Sequence, residues 1–586
     1  MHSIGIIGGG PAALLLIKKI TESLPACRIT IFESSSRLGC GMPYGAKGAS
    51  LEHVSNVSSD ELPPFQTSLK DWIQKLPEEK LRLYDIDKND FHEKEVVPRL
   101  LLGDFLEATF HSLIDKSKTQ GFDVEVMLDT RVTHIACTKT SATVFANDQD
   151  YDFDKIVICT GHRWPRTHEG KVEGYFDSPY PPDKMAKRLN HTVALRGSSL
   201  TAVDAIRTIA RHNGQFLEKD DELVYQISDD SPDFFIEMHS KQGFLPCPRV
   251  HLEEPYVDKD QVLPRKEIEK NIEDNDGFLE LDFLFEQGFK LPLKDSDPKF
   301  FQMVKDMSLE EFIDKMMSYR SQRDAFELFR EEYDDSLKSI KREESVPWKE
   351  MLASLSIALN YPAKHMSAED MLRLEKHLKP LVATVIAFIP QNSARELLAL
   401  RKAGRISLIT DGENSAVTVE SDAIVYSWEN TKKVYTTFID CIGQKPLEEK
   451  DFPFHDLQKL NVTSSARLRF RDQTVGEKLK SEGSEHVVKE GDTYFLDVPG
   501  VNISDNFQLV NREDVASDKF FIMAVPYIGG LNPDYSGLDF CANAADLIVE
   551  YMQKETLSKT EKVSNRQIGH QKQKSIETAE CAEIVD

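Results

Sequence analysis

The first forty residues limit this chain more than any other stretch. Ser3–Ile7 reads as an apolar strand, Gly8-Gly9-Gly10 as a turn, Pro11 to about Thr21 as an apolar helix, and Arg28–Phe32 as a second strand running into Glu33. That order is a βαβ unit with a glycine fingerprint, the opening of a doubly wound sheet. Gly8 permits the tight turn, Gly10 lets a pyrophosphate approach the backbone, and Ala13 is small enough for helix and strand to pack closely. Pro11 suits the first helical position, where its missing donor is not needed. The helix end then offers free amides and a positive dipole to phosphate. Glu33, 23 positions after Gly10, stands where an acid takes ribose hydroxyls and repels a 2′-phosphate. A glycine turn beside an incidental surface glutamate would explain each residue singly, but not strand, triplet, helix, strand and acid in sequence.

Charge and composition remove several classes of partner. A formal net charge of −26 leaves no basic face for nucleic acid and no polybasic handle for anionic lipid. No run approaches eighteen apolar residues, and the N-terminus enters its first strand without a charged leader, so neither a membrane span nor a signal peptide is expected. The eight cysteines are scattered, with no C-x-x-C pair and no zinc spacing to histidine, which suits a reducing, cytoplasmic setting.

A second strand–glycine–helix opening follows. Thr192–Leu195 leads through Arg196-Gly197-Ser198-Ser199 into Leu200–Arg211, with serine at 199 where a strict fingerprint has glycine. It reads either as a working nicotinamide-nucleotide loop or as a Rossmann-like scaffold that has lost its ligand. Lys241, after the apolar run Phe234–Met238, is either a cation for the 2′-phosphate of NADPH or a solvated surface lysine. From 253 to 344 charges alternate with apolar residues at helical spacing. Leu309, Phe312, Ile313, Met316 and Met317 share one face of a helix capped by Ser308, which predicts a helical cap or a lid over a substrate pocket.

Two later segments point to the cofactor. Lys155–Cys159 with Thr160-Gly161 resembles the strand and turn that close the FAD site of two-dinucleotide flavoproteins, and Asp534, before a helix-like run, resembles the acid that contacts the flavin ribityl and pyrophosphate there. The segments Gly39–Gly45, His53–Val57, Val97–Arg99, Lys241–Pro246 and Pro533–Phe540 extend the likeness over most of residues 1–553. The chain resembles the FAD/NAD(P)-binding family that includes FAD-dependent urate hydroxylase and a nitrosuccinate-forming aspartate N-monooxygenase. It departs from the usual pattern at Ser58, where relatives more often have proline.

The resemblance implies an α/β fold of two Rossmann-like dinucleotide-binding domains with a helical insert. The first part of the FAD domain is expected at 1–190 and the nucleotide domain at 191–252 and 345–436. The insert is expected at 253–344, the FAD-domain return at 437–553 and a disordered tail at 554–586. Three activities remain open: an NAD(P)H-dependent monooxygenase acting on a small polar metabolite, an oxidase or dehydrogenase with a vestigial nicotinamide domain, and a non-catalytic flavin sensor. Flavin performs its own chemistry, so no catalytic residue stands out. His53, Asn56 and His162 are candidates for the cofactor's surroundings or for structural turns, and Cys40 lacks a second thiol at redox spacing.

Overall fold

The computed structural model describes residues 3–138, 141–253, 263–360, 362–421, 423–533 and 537–557. The chain starts with β1 (Ser3–Ile7), α1 (Pro11–Ser23) and β2 (Arg28–Phe32), then reaches α2 (Arg99–Thr119) and β3 (Asp123–Met127). An antiparallel meander follows, β4 (Val132–Cys137), β5 (Ala142–Ala146) and β6 (Gln149–Phe153), and then β7 (Lys155–Ile158). These strands make a parallel sheet in the order β3-β2-β1-β7. β1 and β7 are buried along their whole length, which is why, after the first residue of each, they read as apolar runs rather than alternating ones.

The second sheet repeats the plan. It contains β8 (Tyr175–Phe176), β9 (Thr192–Arg196), α3 (Leu200–Asn213) and β10 (Phe235–Ser240). After a long helical excursion, which includes α4 (Pro347–Asn360), α5 (Lys379–Val385) and α6 (Gln391–Lys402), come β11 (Ile406–Thr410), the meander β12 (Ala416–Glu420), β13 (Ala423–Trp428), β14 (Thr431–Tyr435), and β15 (Thr437–Asp440). The order is β8-β15-β9-β10-β11, and every pairing in it is parallel. In both sheets a three-stranded meander directly precedes the strand that pairs with the first. Finally β16 (Gln508–Val510) and β17 (Ala516–Ile522) return to the first sheet, where β17 lies parallel to β7.

The two Rossmann-like domains are those expected, and their likeness extends past the glycine openings to the meander before the closing strand. Within Val124–Val144, where the chain reads as hairpin-like from sequence, β3 belongs to the parallel sheet and only the strands after it are antiparallel. The helix over 309–321 forms as expected, with Ser308 Oγ accepting from Glu311 N (3.1 Å) and Glu311 Oε2 accepting from Ser308 N (2.9 Å). The helical block does not stop at 344. Leu352, Leu355, Leu381 and Val385 belong to the same buried cluster as Phe285, Phe289 and Phe312, because α4 and α5 need that apolar partner. The cluster is continuous with the core of the first sheet. Residues 554–557 extend the last helix rather than opening the tail, and 558–586 lie outside the described residues, as does Asp534.

Candidate cofactor and substrate site

The first glycine loop is shaped by close contacts. Gly8 has φ +104°, and a Cβ there would lie 2.4 Å from the Cys159 carbonyl oxygen, so only glycine fits. Gly10 is the N-cap of α1, with Pro11 at the first helical position and no side chain capping the amides behind it. A Cβ on Gly10 would stand 3.4 Å from Gly41 Cα, where a second glycine turn crosses the first. Gly39 N binds that turn to Gly9 O (2.7 Å). Ala13 is fully buried. The helix end is thus bare, positively polarised and walled by backbone, the requirement for a pyrophosphate.

Glu33 ends β2 nearly buried. Its Oε2 accepts from Gly9 N and its Oε1 from Ser35 N, each at 2.7 Å. Ser34 Oγ also lies 3.5 Å from Oε1; a carboxylate offers about four lone-pair sites, so Glu33 keeps capacity, chiefly at Oε2, for a ribose hydroxyl. Beyond β7, a Cβ on Gly161 would meet nothing within 4 Å, and Thr160 Oγ1 is buried without a partner. Burial pushes the Cys40 thiol above its ordinary value, which removes thiolate character.

The second loop copies the first in backbone and differs in side chains. Gly197 has φ +114°, and its Cβ would lie 2.8 Å from the Cys441 carbonyl, as Gly8 meets Cys159. Ser199 is the exposed N-cap of α3 and caps nothing with its hydroxyl, while Ser198 Oγ donates to Phe244 O (2.5 Å). Lys241 follows β10 and is well exposed, with its Nζ 2.6 Å from the equally exposed Glu413.

Asp204 and His53 make contacts between the two domains. Asp204, on the second fingerprint's helix, is buried; Arg99 Nη1 donates to its Oδ2 (2.5 Å) and Tyr180 OH donates to the same oxygen (2.7 Å). Burial alone would raise this carboxyl, but the Arg99 guanidinium and the Tyr180 hydrogen bond outweigh it and hold it below the usual range. His53 is buried against α3, with Nε2 3.0 Å from Thr208 Oγ1 and 3.2 Å from Asp204 O.

A cavity of about 500 Å³ lies where the parts meet. Tyr44, Asn56 and Val57 line it from the first domain, Leu200 from the start of α3, and Ala353, Ile357 and Val382 from α4 and α5. Arg249, which the sequence reading missed, is pinned in its wall: Nη1 donates to Asn56 O (2.7 Å), and Nη2 donates to Glu61 Oε2 (2.6 Å) and Ser58 Oγ (3.2 Å). A second cavity, of about 330 Å³, lies beside His191 and Thr437, where β9 and β15 begin. Ligands of parallel sheets bind beyond the carboxyl ends of the strands, so the first cavity is the one placed for chemistry. Among the described residues no group of three or more His, Cys, Asp or Glu could hold a metal ion, and no helix is long and apolar enough to cross a membrane.

Two parallel sheets of one plan, each with a bare helix end behind a glycine turn, and a helical middle domain define an FAD/NAD(P)-binding flavoprotein fold. Residues 5–163 match the FAD-NAD(P)-binding family model, and 264–386 match the YdhS-like middle domain. The middle-domain match begins with the helices and ends after α5. The chain is 28% identical over 560 residues to the uncharacterized protein YdhS of Escherichia coli (strain K12), covering 93% of this chain and 96% of that one. Among solved structures it is similar to the ornithine N-hydroxylase of Kutzneria sp. 744, at 13% identity and TM-score 0.48, covering 95% of this chain and 100% of that one. It is also similar to the ornithine hydroxylase of Pseudomonas aeruginosa, at 10% identity and TM-score 0.46, covering 94% and 99%.

Proposed function

We propose that the protein is an FAD-dependent oxidoreductase that takes a hydride from a nicotinamide nucleotide and oxygenates a small polar metabolite. The observation that carries this reading is the 500 Å³ cavity, bounded at once by the first domain's loops, by the start of α3 and by the middle helices. A site that must couple two nucleotides and a substrate needs those three walls. In this reading Gly8, Gly9, Gly10, Pro11, Ala13, Glu33, Thr160 and Gly161 hold FAD, and Gly197, Ser199 and Lys241 hold the nicotinamide nucleotide.

Bound FAD supplies hydride acceptance and delivery of electrons to oxygen. The chain's own part is positioning and exclusion of water. The α1 amides and dipole receive phosphate, and the spare lone pairs of Glu33 receive a ribose hydroxyl. Ala353, Ile357 and Val382 on α4 and α5 give the cavity an apolar wall, which favours the exclusion of water that an oxygenating reaction requires. Arg249 and Glu61 set a polar edge on that apolar wall, the arrangement that orients a small polar molecule.

One observation favours a second reading, an oxidase or dehydrogenase whose nicotinamide domain is only a scaffold: Glu413 already occupies Lys241. Anaerobic titration of the purified holoprotein with NADPH and with NADH separates the two. Bleaching of the flavin absorbance within seconds supports the first reading, and no bleaching by either nucleotide overturns it. Readmission of air with hydrogen peroxide measured then distinguishes oxygenation from plain oxidation.

A further inference from the structure

Among the described residues, five buried side-chain polar atoms have no hydrogen-bond partner: Thr160 Oγ1, His162 Nδ1, His239 Nδ1, Arg320 Nε and Asp411 Oδ1. Buried polar groups are nearly always paired, so each such atom calls for an explanation. Two of the five stand two residues apart on the turn that leaves β7, directly after the Cys159 carbonyl that packs on Gly8. The turn is fixed from its far side. Arg163 N donates to Gln444 Oε1 (2.8 Å) and Gln444 Nε2 donates to Arg163 O (2.7 Å), so the equivalent turns of the two domains clasp each other. The His162 ring lies 5.4 Å from that of Trp164. The clasp fixes the backbone next to His162, a half-buried residue whose Nδ1 is fully buried.

We infer that His162 is a direct hydrogen-bond partner of the bound flavin nucleotide, contacting it through Nδ1 beside the hydroxyl of Thr160. This rests on the FAD reading above and adds a residue to it. The cost of an unpartnered buried atom falls on the empty protein and is relieved when a ligand supplies the missing group. Burial lowers the pKa of His162, outweighing a hydrogen bond between its ring and the Gln444 side chain, so the ring is neutral near pH 7 and carries one donor and one acceptor nitrogen, of which Nδ1 is the one left without a partner. A residue with this role contributes oppositely to the two states: it weakens the apoprotein and strengthens the complex.

The test uses apoprotein prepared from the holoprotein, titrated with FAD by quenching of flavin fluorescence, with thermal midpoints of both forms. His162→Asn keeps an amide near the position of Nδ1, whereas His162→Gln carries it out toward Nε2. His162→Leu removes it. The Asn variant is expected to bind FAD within about threefold of wild type, and the Gln and Leu variants roughly tenfold more weakly. The apo midpoint of the Leu variant is expected to equal or exceed that of wild type. Equal FAD affinity across the three variants overturns the inference, as does a Leu variant whose apo midpoint falls together with its holo midpoint. If the Leu variant does not fold, the Asn and Gln pair still decides. A wild-type protein that binds no FAD sinks the functional reading itself; wild-type binding with no difference among the variants sinks only the role of His162.

Discussion

Arg99 and Asp204 stand 105 positions apart in the chain and 2.5 Å apart in space, at the joint between the two nucleotide-binding sheets. Arg99 begins α2, behind the first glycine loop, and Asp204 lies in α3, whose N-terminus follows the second. Both are largely buried, and Tyr180 completes the pair. Removing one partner leaves an uncompensated buried charge, which costs about 3 kcal/mol or more. Arg99→Ala should therefore lower stability by that order in denaturant unfolding, while the double variant Arg99→Met/Asp204→Leu should recover much of the loss.

His53 makes that joint sensitive to pH. Its Nδ1 accepts from Ser50 N (3.1 Å), so the proton sits on Nε2 and the ring must be neutral. Burial holds its pKa below the ordinary value of about 6.5. As pH falls below about 6.5, the unfolded chain binds a proton that the folded chain refuses, so stability is full above that value and declines as pH drops toward the folded pKa. His162 and His191 are lowered in the same way and add to the slope. Thermal midpoints between pH 7.5 and 5 should fall less steeply for His53→Gln than for wild type.

Gly10→Val should give a folded but colourless protein. The new branches would fill the gap between Gly10 and Gly41, which is already down to 3.4 Å for a single Cβ. Heat-released flavin, resolved by chromatography, should be FAD in the wild type and near zero in the variant.

Lys241 and Glu413 should set the choice between nicotinamide nucleotides. Glu413→Gln frees the lysine for a 2′-phosphate and should strengthen NADPH relative to NADH, while Lys241→Glu should reverse the preference. The pair is exposed, so each effect should be only a few-fold and should shrink in high salt. Reduction rates at two ionic strengths check this.

The cavity wall should control coupling. The middle helices share one buried cluster with the first sheet, so deleting them would expose core rather than merely open the site. Ala353→Trp intrudes on the cavity alone. It should leave FAD content unchanged and raise the peroxide released per nicotinamide consumed. Cys40→Ser, by contrast, should leave flavin reduction intact.

The sequence displays what is local and hides what is not. The Gly8–Glu33 unit was legible because its constraints act within some thirty residues, where a turn, a helix end and a strand end fall at fixed spacings. The two nucleotide-binding domains were legible from their openings, whereas the meander that each repeats before its closing strand was not, because in the second copy the helical block interrupts the strands. Nothing local signalled the role of Asp204: Arg99 and Tyr180, which bind it, lie 105 and 24 positions away. Arg249 carried no local signal: Glu61, the acid that pins it, lies 188 positions away. Lys241 was correctly placed at a strand end, but its occupation by Glu413, 172 positions on, was beyond any spacing rule.

The return of β17 to the edge of β7 has a consequence for how the protein is made. Ile522 pairs with Ile158, so the sheet that starts at the third residue gains this neighbour only when roughly 360 further residues have left the ribosome. At about 5–20 residues per second, that wait is on the order of 20–70 s. Throughout it β7 keeps an open edge, apolar over Ile156–Ile158, a template for pairing with another nascent chain. Slower elongation should therefore increase aggregation of this protein, and fragments that stop before residue 516 should need a chaperone even though they contain the entire glycine loop.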